Sequence, residues 1–224
     1  MPSVKIPKKS TATDMTPFVD VAFLILSFFM LATKFKPPEA VQITTPHSVS
    51  ADKLKEQDAV QIEFDSTGKV YFNMTTKKSS DAVLKKDLIQ GINKDRNLGL
   101  TDAEIQNFVN NSIVGVPFAN LKQLLSLPKE QRATVKQPGI PVDTANNELT
   151  TWIQQAITAF QGHQVNYLVK GDNNAKYPSF KGVIEALRKN EQFKYQLITD
   201  PESAPTGTEL YMRRILGDKY SSNQ

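Results

Sequence analysis

Apolar residues gather in one long run near the start of the chain and afterwards recur at helix and strand spacings. From residue 18 to residue 32 every position is apolar except Asp20 and Ser27. With Met15, Thr16, Pro17 and Thr33 added, the run predicts a helix over residues 15–33, about 28 Å long at 1.5 Å per residue. That length and apolarity read as a single transmembrane helix. Residues 34–59 form a linker containing Pro37, Pro38 and Pro46, with a short extended piece at 41–44. Segments 60–64 and 69–73 alternate as strands around Asp65-Ser66-Thr67-Gly68, which predicts a hairpin. Residues 79–95 place Val83, Leu84, Leu88 and Ile92 on one helical face. Thr101 with Glu104 three positions on is a capping box, opening a helix to about residue 114. A third helix is predicted at 117–127, stopped by Pro128, then a polar loop at 128–147 and a helix at 148–160 ended by Gly162.

The strongest fold signal comes last. Segment 165–170 is a strand, 179–190 an amphipathic helix and 193–199 another strand. If the two strands are parallel, the crossover between them is right-handed. The expected fold class is therefore a single N-terminal transmembrane helix plus a small α+β domain, with the hairpin and the strand-helix-strand unit on one sheet. A helical insertion occupies about 79–147. The expected organisation is a basic tail at 1–14, the membrane helix at 15–33, a linker at 34–59, the domain at 60–200 and a tail at 201–224 with a short helix at 208–216.

Composition narrows the function classes. The chain has 224 residues, no cysteine and a net charge of +4. Without cysteine there is no disulfide, no thiolate nucleophile and no Cys-ligated metal site. The placement of charge matters more than its total. Residues 1–36 hold five Lys against two Asp, a net +3, while the other 188 residues hold 22 basic and 21 acidic side chains. The excess therefore flanks the apolar run. No basic stripe of the kind that binds nucleic acid is present.

Asp20 is the residue that demands a chemical reason. A carboxylate in hydrocarbon costs roughly 2.5–3.5 kcal/mol on insertion scales, and intramembrane acids mark proton or ion pathways. Helical spacing puts Thr16 four residues back and Ser27 seven forward on the same stripe, within an arc of about 40°. A single helix cannot surround its own acid, so partner helices must. Two readings compete: an uncleaved anchor, favoured by the acid and by Met30-Leu31-Ala32 in place of a small-x-small site, and a cleaved signal peptide. A carboxylate turned to the near membrane surface is the alternative for Asp20 itself. Lys5, Lys8 and Lys9 before the run, against Lys34 and Lys36 after it, lean towards a cytoplasmic N-terminus.

The stretch Asp14-Met15-Thr16-Pro17-Phe18-Val19-Asp20-Val21, followed by the apolar run, resembles the ExbD/TolR family, whose signature is Thr-Pro-Phe-hydrophobic-Asp-Val. Asn166-Tyr167-Leu168-Val169-Lys170-Gly171-Asp172, then Tyr177-Pro178 and Leu197-Ile198-Thr199, looks like the end of the same family's periplasmic domain. The resemblance covers roughly residues 3–75 and 148–200, and the block at 79–147 departs from it. It implies a single-span subunit of an inner-membrane motor, with a cytoplasmic N-terminus and a periplasmic domain. Two copies of the chain would sit inside a pentamer of ExbB/TolQ-like multi-span subunits. Asp20, matching the family's membrane carboxylate, would take up and release the driving proton. By their place on the stripe Thr16 and Ser27 offer hydroxyls along the route, although such residues more often bond a carbonyl one turn back, and that reading is favoured. The work would pass to a TonB-like partner, for transport across the outer membrane, or to a Tol-like partner in envelope maintenance or cell-wall binding. A membrane-anchored periplasmic scaffold without proton transfer is the other class of reading.

The remaining features carry no chemistry. His47 and His163 show no metal-ligand spacing, and no cofactor is implied. Trp152, Ile153, Ile157 and Phe160 form an apolar stripe that belongs in a core. Gly171-Asp172-Asn173-Asn174 follows a strand but lacks the glycines of a phosphate loop. No nucleophile motif is present, so an enzyme is not expected.

Overall fold

The computed structural model describes residues 15–32, 43–49, 54, 58–76, 81–128, 131–132, 135–161, 165–209 and 211–212. The basic tail at 1–14, residues 41–42 of the extended piece, His163 and residues 213–216 of the last expected helix lie outside the described residues. The chain divides into two compact units, Met1–Pro38 and Glu39–Gln224.

The first unit contains helix α1, Thr16–Ala32. The Met15 carbonyl opens it, accepting the N–H groups of Phe18 and Val19 at 3.1 Å each. Pro17 is tolerated because an N–H in the first turn has no helical partner to lose. The 17 residues rise about 25 Å, short of the ~30 Å of a hydrocarbon core. No helix among the described residues is long and apolar enough to cross a membrane. This overturns the fold class expected from the sequence, which rested on a transmembrane helix over 15–33. The shortfall is one of length: Met15 precedes the helix, and Thr33 lies outside the described residues.

The second unit is an α+β fold. Its elements run β1 His47–Ser48, β2 Ala59–Phe64, β3 Val70–Thr75, α2 Asp81–Arg96, α3 Asp102–Asn110, α4 Phe118–Ser126 and α5 Leu149–Ala159, then β4 Asn166–Gly171, α6 Tyr177–Lys189, β5 Gln196–Ile198 and β6 Asp200–Pro201. A four-stranded sheet has the order β3-β2-β4-β5. β2 pairs antiparallel with β3 and parallel with β4, and β4 pairs parallel with β5. The hairpin turn is tied by Asp65, whose Oδ1 accepts the N–H groups of Thr67 and Lys69 at 2.9 Å each. Gly68 closes that turn at a φ of +89°, a conformation that disfavours any side chain.

One face of the sheet is apolar and carries the helices. Val60, Ile62 and Phe64 of β2, Val70, Phe72 and Met74 of β3, and Tyr167 and Val169 of β4 all lie in one buried cluster. The other face mixes the half-buried polar residues Gln61, Glu63 and Asn73 with buried Ala59, Tyr71 and Leu168, so it is partly covered as well. α2 packs against α3 and α5, and α5 against α6. The Thr101 capping box forms, with the Thr101 hydroxyl accepting the Glu104 N–H and the Glu104 carboxylate accepting the Thr101 N–H at 2.7 Å.

α3 stops at Asn110, short of the expected residue 114, because the next residues are used by the sheet. Val114 exchanges hydrogen bonds with Phe72 at 2.7 and 2.9 Å, and Ile140 donates to Val70 at 2.8 Å. These two segments cover the outer edge of β3, which would otherwise offer an unpaired row of backbone groups. Gly139 allows the close approach: its φ is +97°, and a Cβ there would lie 2.9 Å from Lys69 Cα.

Trp152 of α5 joins sheet to insertion. It is fully buried, with ring centroids 5.0 Å from Phe72, 5.9 Å from Phe108 of α3 and 5.6 Å from Phe118 of α4. Among the described residues its indole N–H has no hydrogen-bond partner, so its shape and apolar surface are what stabilise the fold. Trp152→Ala is therefore expected to cost about 3–5 kcal/mol, whereas Trp152→Phe, which also removes the unsatisfied N–H, costs much less; urea unfolding measures both. Burial pushes the hydroxyls of Tyr71 and Tyr167 up to about 12, with Asp65 and Glu63 adding to the effect at Tyr71. A folded-state pKa above the unfolded value of 10 means that their stabilisation is complete below pH 10 and is lost as pH rises towards 12. The urea midpoint should accordingly fall across that window.

Candidate functional site

Every large apolar side chain of α1 is more than half exposed, from Ile25 at 51% to Leu31 at 87%. In water that surface would be costly at about 25 cal/mol per Å². Nothing in the helix's own unit, among the described residues, covers it. Asp20 is the only ionisable side chain of α1, one turn in from the N-terminal end, and it too is exposed. Helical spacing places Thr16, Asp20 and Ser27 along one stripe of the cylinder. Ser27 Oγ donates to the Leu24 carbonyl at 2.9 Å, which occupies its hydroxyl proton within the helix. The site therefore reduces to one carboxylate on an otherwise apolar rod that requires a cover of other helices.

Among the described residues no group of three or more His, Asp or Glu side chains is placed to hold a metal ion. His47 sits in β1 opposite Asp200 of β6 in a two-residue parallel ladder. That ladder belongs to an attachment which the sequence pattern did not reveal. Thr44 N–H donates to Asp172 Oδ2 at 3.1 Å and the Thr44 carbonyl accepts Asn173 N–H at 2.8 Å. Asp200 and Glu202 donate their N–H groups to the carbonyls of Pro46 and Ser48 at 3.0 and 2.9 Å. Residues 44–48 are thereby fastened to the end of the sheet. The Gly171-Asp172-Asn173-Asn174 turn was visible in the sequence, but its use as a clamp for residue 44 is a contact across 128 positions.

The architecture and site define a class: an α+β domain tethered through a linker to a short apolar helix with one acid. The chain belongs to the ExbD/TolR family of biopolymer transport proteins, whose family model matches residues 7–202. The match runs through the helical block at 79–147, which the resemblance seen in the sequence had left out. No curated protein and no solved structure matches the chain. Members of this family are non-enzymatic accessory proteins that work with membrane partners in transport complexes, and membership makes this chain a membrane-associated envelope protein with a role in energising biopolymer transport.

Asp172→Ala removes the charged acceptor for Thr44, a hydrogen bond of the kind that contributes about 1.5–3 kcal/mol. Hydrogen exchange at the Thr44 amide should then quicken at least about tenfold while the β4 amides keep their protection.

Proposed function

We propose that this chain is the proton-responsive subunit of an inner-membrane motor that energises TonB-dependent transport across the outer membrane, with Asp20 as the group that gains and loses the proton. The observation that carries this reading is the isolation of Asp20 on α1, a helix whose whole apolar surface awaits a cover. In this reading α1 seats in the apolar interior of a pentamer of ExbB/TolQ-like multi-span subunits, beside the α1 of a second copy. The folded unit works on the periplasmic side and hands the motion to a TonB-like partner.

The energetics support the assignment. Enclosed by apolar helices, a carboxylate is pushed towards its neutral form, and beside donors or water it ionises. A helix that changes charge in this way has two preferred placements in its socket, the bistable element a motor requires. One proton falling through 100 mV releases about 2.3 kcal/mol, close to the cost of one charge exposed to hydrocarbon. Neither Thr16 nor Ser27 is needed as a proton carrier in this scheme.

Asp20→Asn should leave copurification with the multi-span partner intact and abolish energised uptake in cells. Uptake retained by that variant at native expression would remove the proton-carrier role.

A further inference from the structure

A groove of ≈ 770 Å³ lies between α6, the hairpin turn and residues 138–144 of the helical block. It follows α6 from Tyr177 to Glu185, about 12 Å at 1.5 Å per residue. Its walls meet at two glycines: Ser179 Oγ donates to the Gly68 carbonyl at 3.0 Å, and a Cβ on Gly182 would strike the Val142 carbonyl oxygen. The walls offer rings rather than backbone donors. Pro117, Pro138, Pro141 and Pro178 line the groove and have no N–H. The N–H groups of Gly68 and Lys69 are bonded to Asp65, and those of Gly139 and Ile140 to the carbonyls of Gly115 and Val70. Tyr177 adds an aromatic ring that is 70% exposed. Charge is divided along the groove. Lys69 and the first turn of α6, whose cap residue Lys176 makes no side-chain hydrogen bond, make one end positive. Glu185 and Asp143 make the other negative. Lys181, between them, holds Glu185 only loosely, at 3.7 Å on the surface.

We propose that this groove binds an extended, proline-containing segment of a partner protein, with an acidic side chain at the Lys69 end and a basic one at the Glu185 end. Strand addition needs an open row of backbone donors and acceptors, which these walls do not present. A polyproline II segment has no internal hydrogen bonds and, at its prolines, no N–H to satisfy, so it suits a wall of this kind. Its rings pack on Tyr177 and on the prolines of the groove, and its preformed shape lowers the cost of ordering on binding. Three residues complete one turn of such a segment and rise about 9 Å. Charges three positions apart therefore lie on one edge, and their side chains reach both ends of the groove. Among the described residues neither Lys69 nor Asp143 makes an ion pair, so both are available to the occupant. The groove does not depend on the proton-carrier reading of Asp20.

Fluorescence anisotropy of an end-blocked, fluorescein-labelled peptide containing Glu-Pro-Pro-Lys, titrated with the full-length chain in detergent, tests this. Saturable binding with a dissociation constant below about 1 mM is expected. Replacing both peptide prolines by Ala should weaken it about tenfold, since the preformed shape and the ring contacts are lost together. Replacing the peptide Glu and Lys by Gln should weaken it about threefold at low salt, and the difference should vanish at high salt. In the protein, Tyr177→Ala and Lys69→Glu should each weaken binding of the Glu-Pro-Pro-Lys peptide about tenfold. Tyr177 is exposed enough that Tyr177→Ala should leave the urea midpoint unchanged. No saturable binding to the unmodified chain, equal affinity for the Ala-substituted peptide, or binding indifferent to both protein variants overturns the proposal. Asp20→Asn should leave peptide binding unchanged, which keeps this result separate from the fate of the motor reading.

Discussion

The stacked contact of Trp152 with Phe72, Phe108 and Phe118 holds the second unit together, because it is the point at which three parts of the chain distant in sequence meet. Phe72 belongs to the sheet, Phe108 and Phe118 to the helical block, and Trp152 to the helix that leads back to the sheet. Arg96 of α2 lies over the Phe118 ring, 5.1 Å from its centroid, and so brings the remaining helix of the block to the same cluster. Each aromatic pair adds about 0.5–1.5 kcal/mol beyond the area it buries. The cluster is the aromatic part of one continuous core that the block at 79–147 shares with the sheet. With it, Val114 and Ile140 are held where they complete the edge of β3. The block therefore serves the sheet twice, as a roof over one face and as a cover for one edge.

The asymmetry between the two sheet edges follows. β3 is long, buried and paired on its outer side by residues from the block. β5 is three residues long, largely exposed and paired on one side only. Asp200 and Glu202 share the parity of Gln196 and Ile198, so their N–H groups point to the side that β4 occupies further back along the strand.

Much of this was legible in the residues, and what was not has a common cause. Period-3.6 spacing located the helices, the Thr101 and Glu104 pair marked a cap that forms as expected, and the Trp152 stripe is in the core. Contacts between residues far apart in sequence left no trace in local pattern. The insertion of β4 between β2 and β5 is one case, and the recruitment of Val114 to β3 is another. Residues 112–116 carry apolar side chains that a helix could use equally well, and only the neighbouring strand decides. The apolar run at 18–32 was plain, yet counting apolar residues overstated the helix, which the backbone closes at 17. At the site, Asp20 stood out as an acid in apolar surroundings, while the clamp of Asp172 on Thr44 had no signature beyond a turn.

Four hydrogen bonds fasten residues 44–48 to the folded unit: three between backbone groups at about 0.5–1.5 kcal/mol each and one to the Asp172 carboxylate at about 1.5–3 kcal/mol, roughly 3–7.5 kcal/mol together. Pro46 and Pro201 each lack an N–H, so the short β1 and β6 ladder has few further rungs to gain. The core of the folded unit is fixed far more firmly, since the Trp152 cluster alone is worth a comparable amount and is one part of a continuous buried set. The attachment at 44–48 is therefore the weaker of the two, and the helical block is what keeps the folded unit rigid.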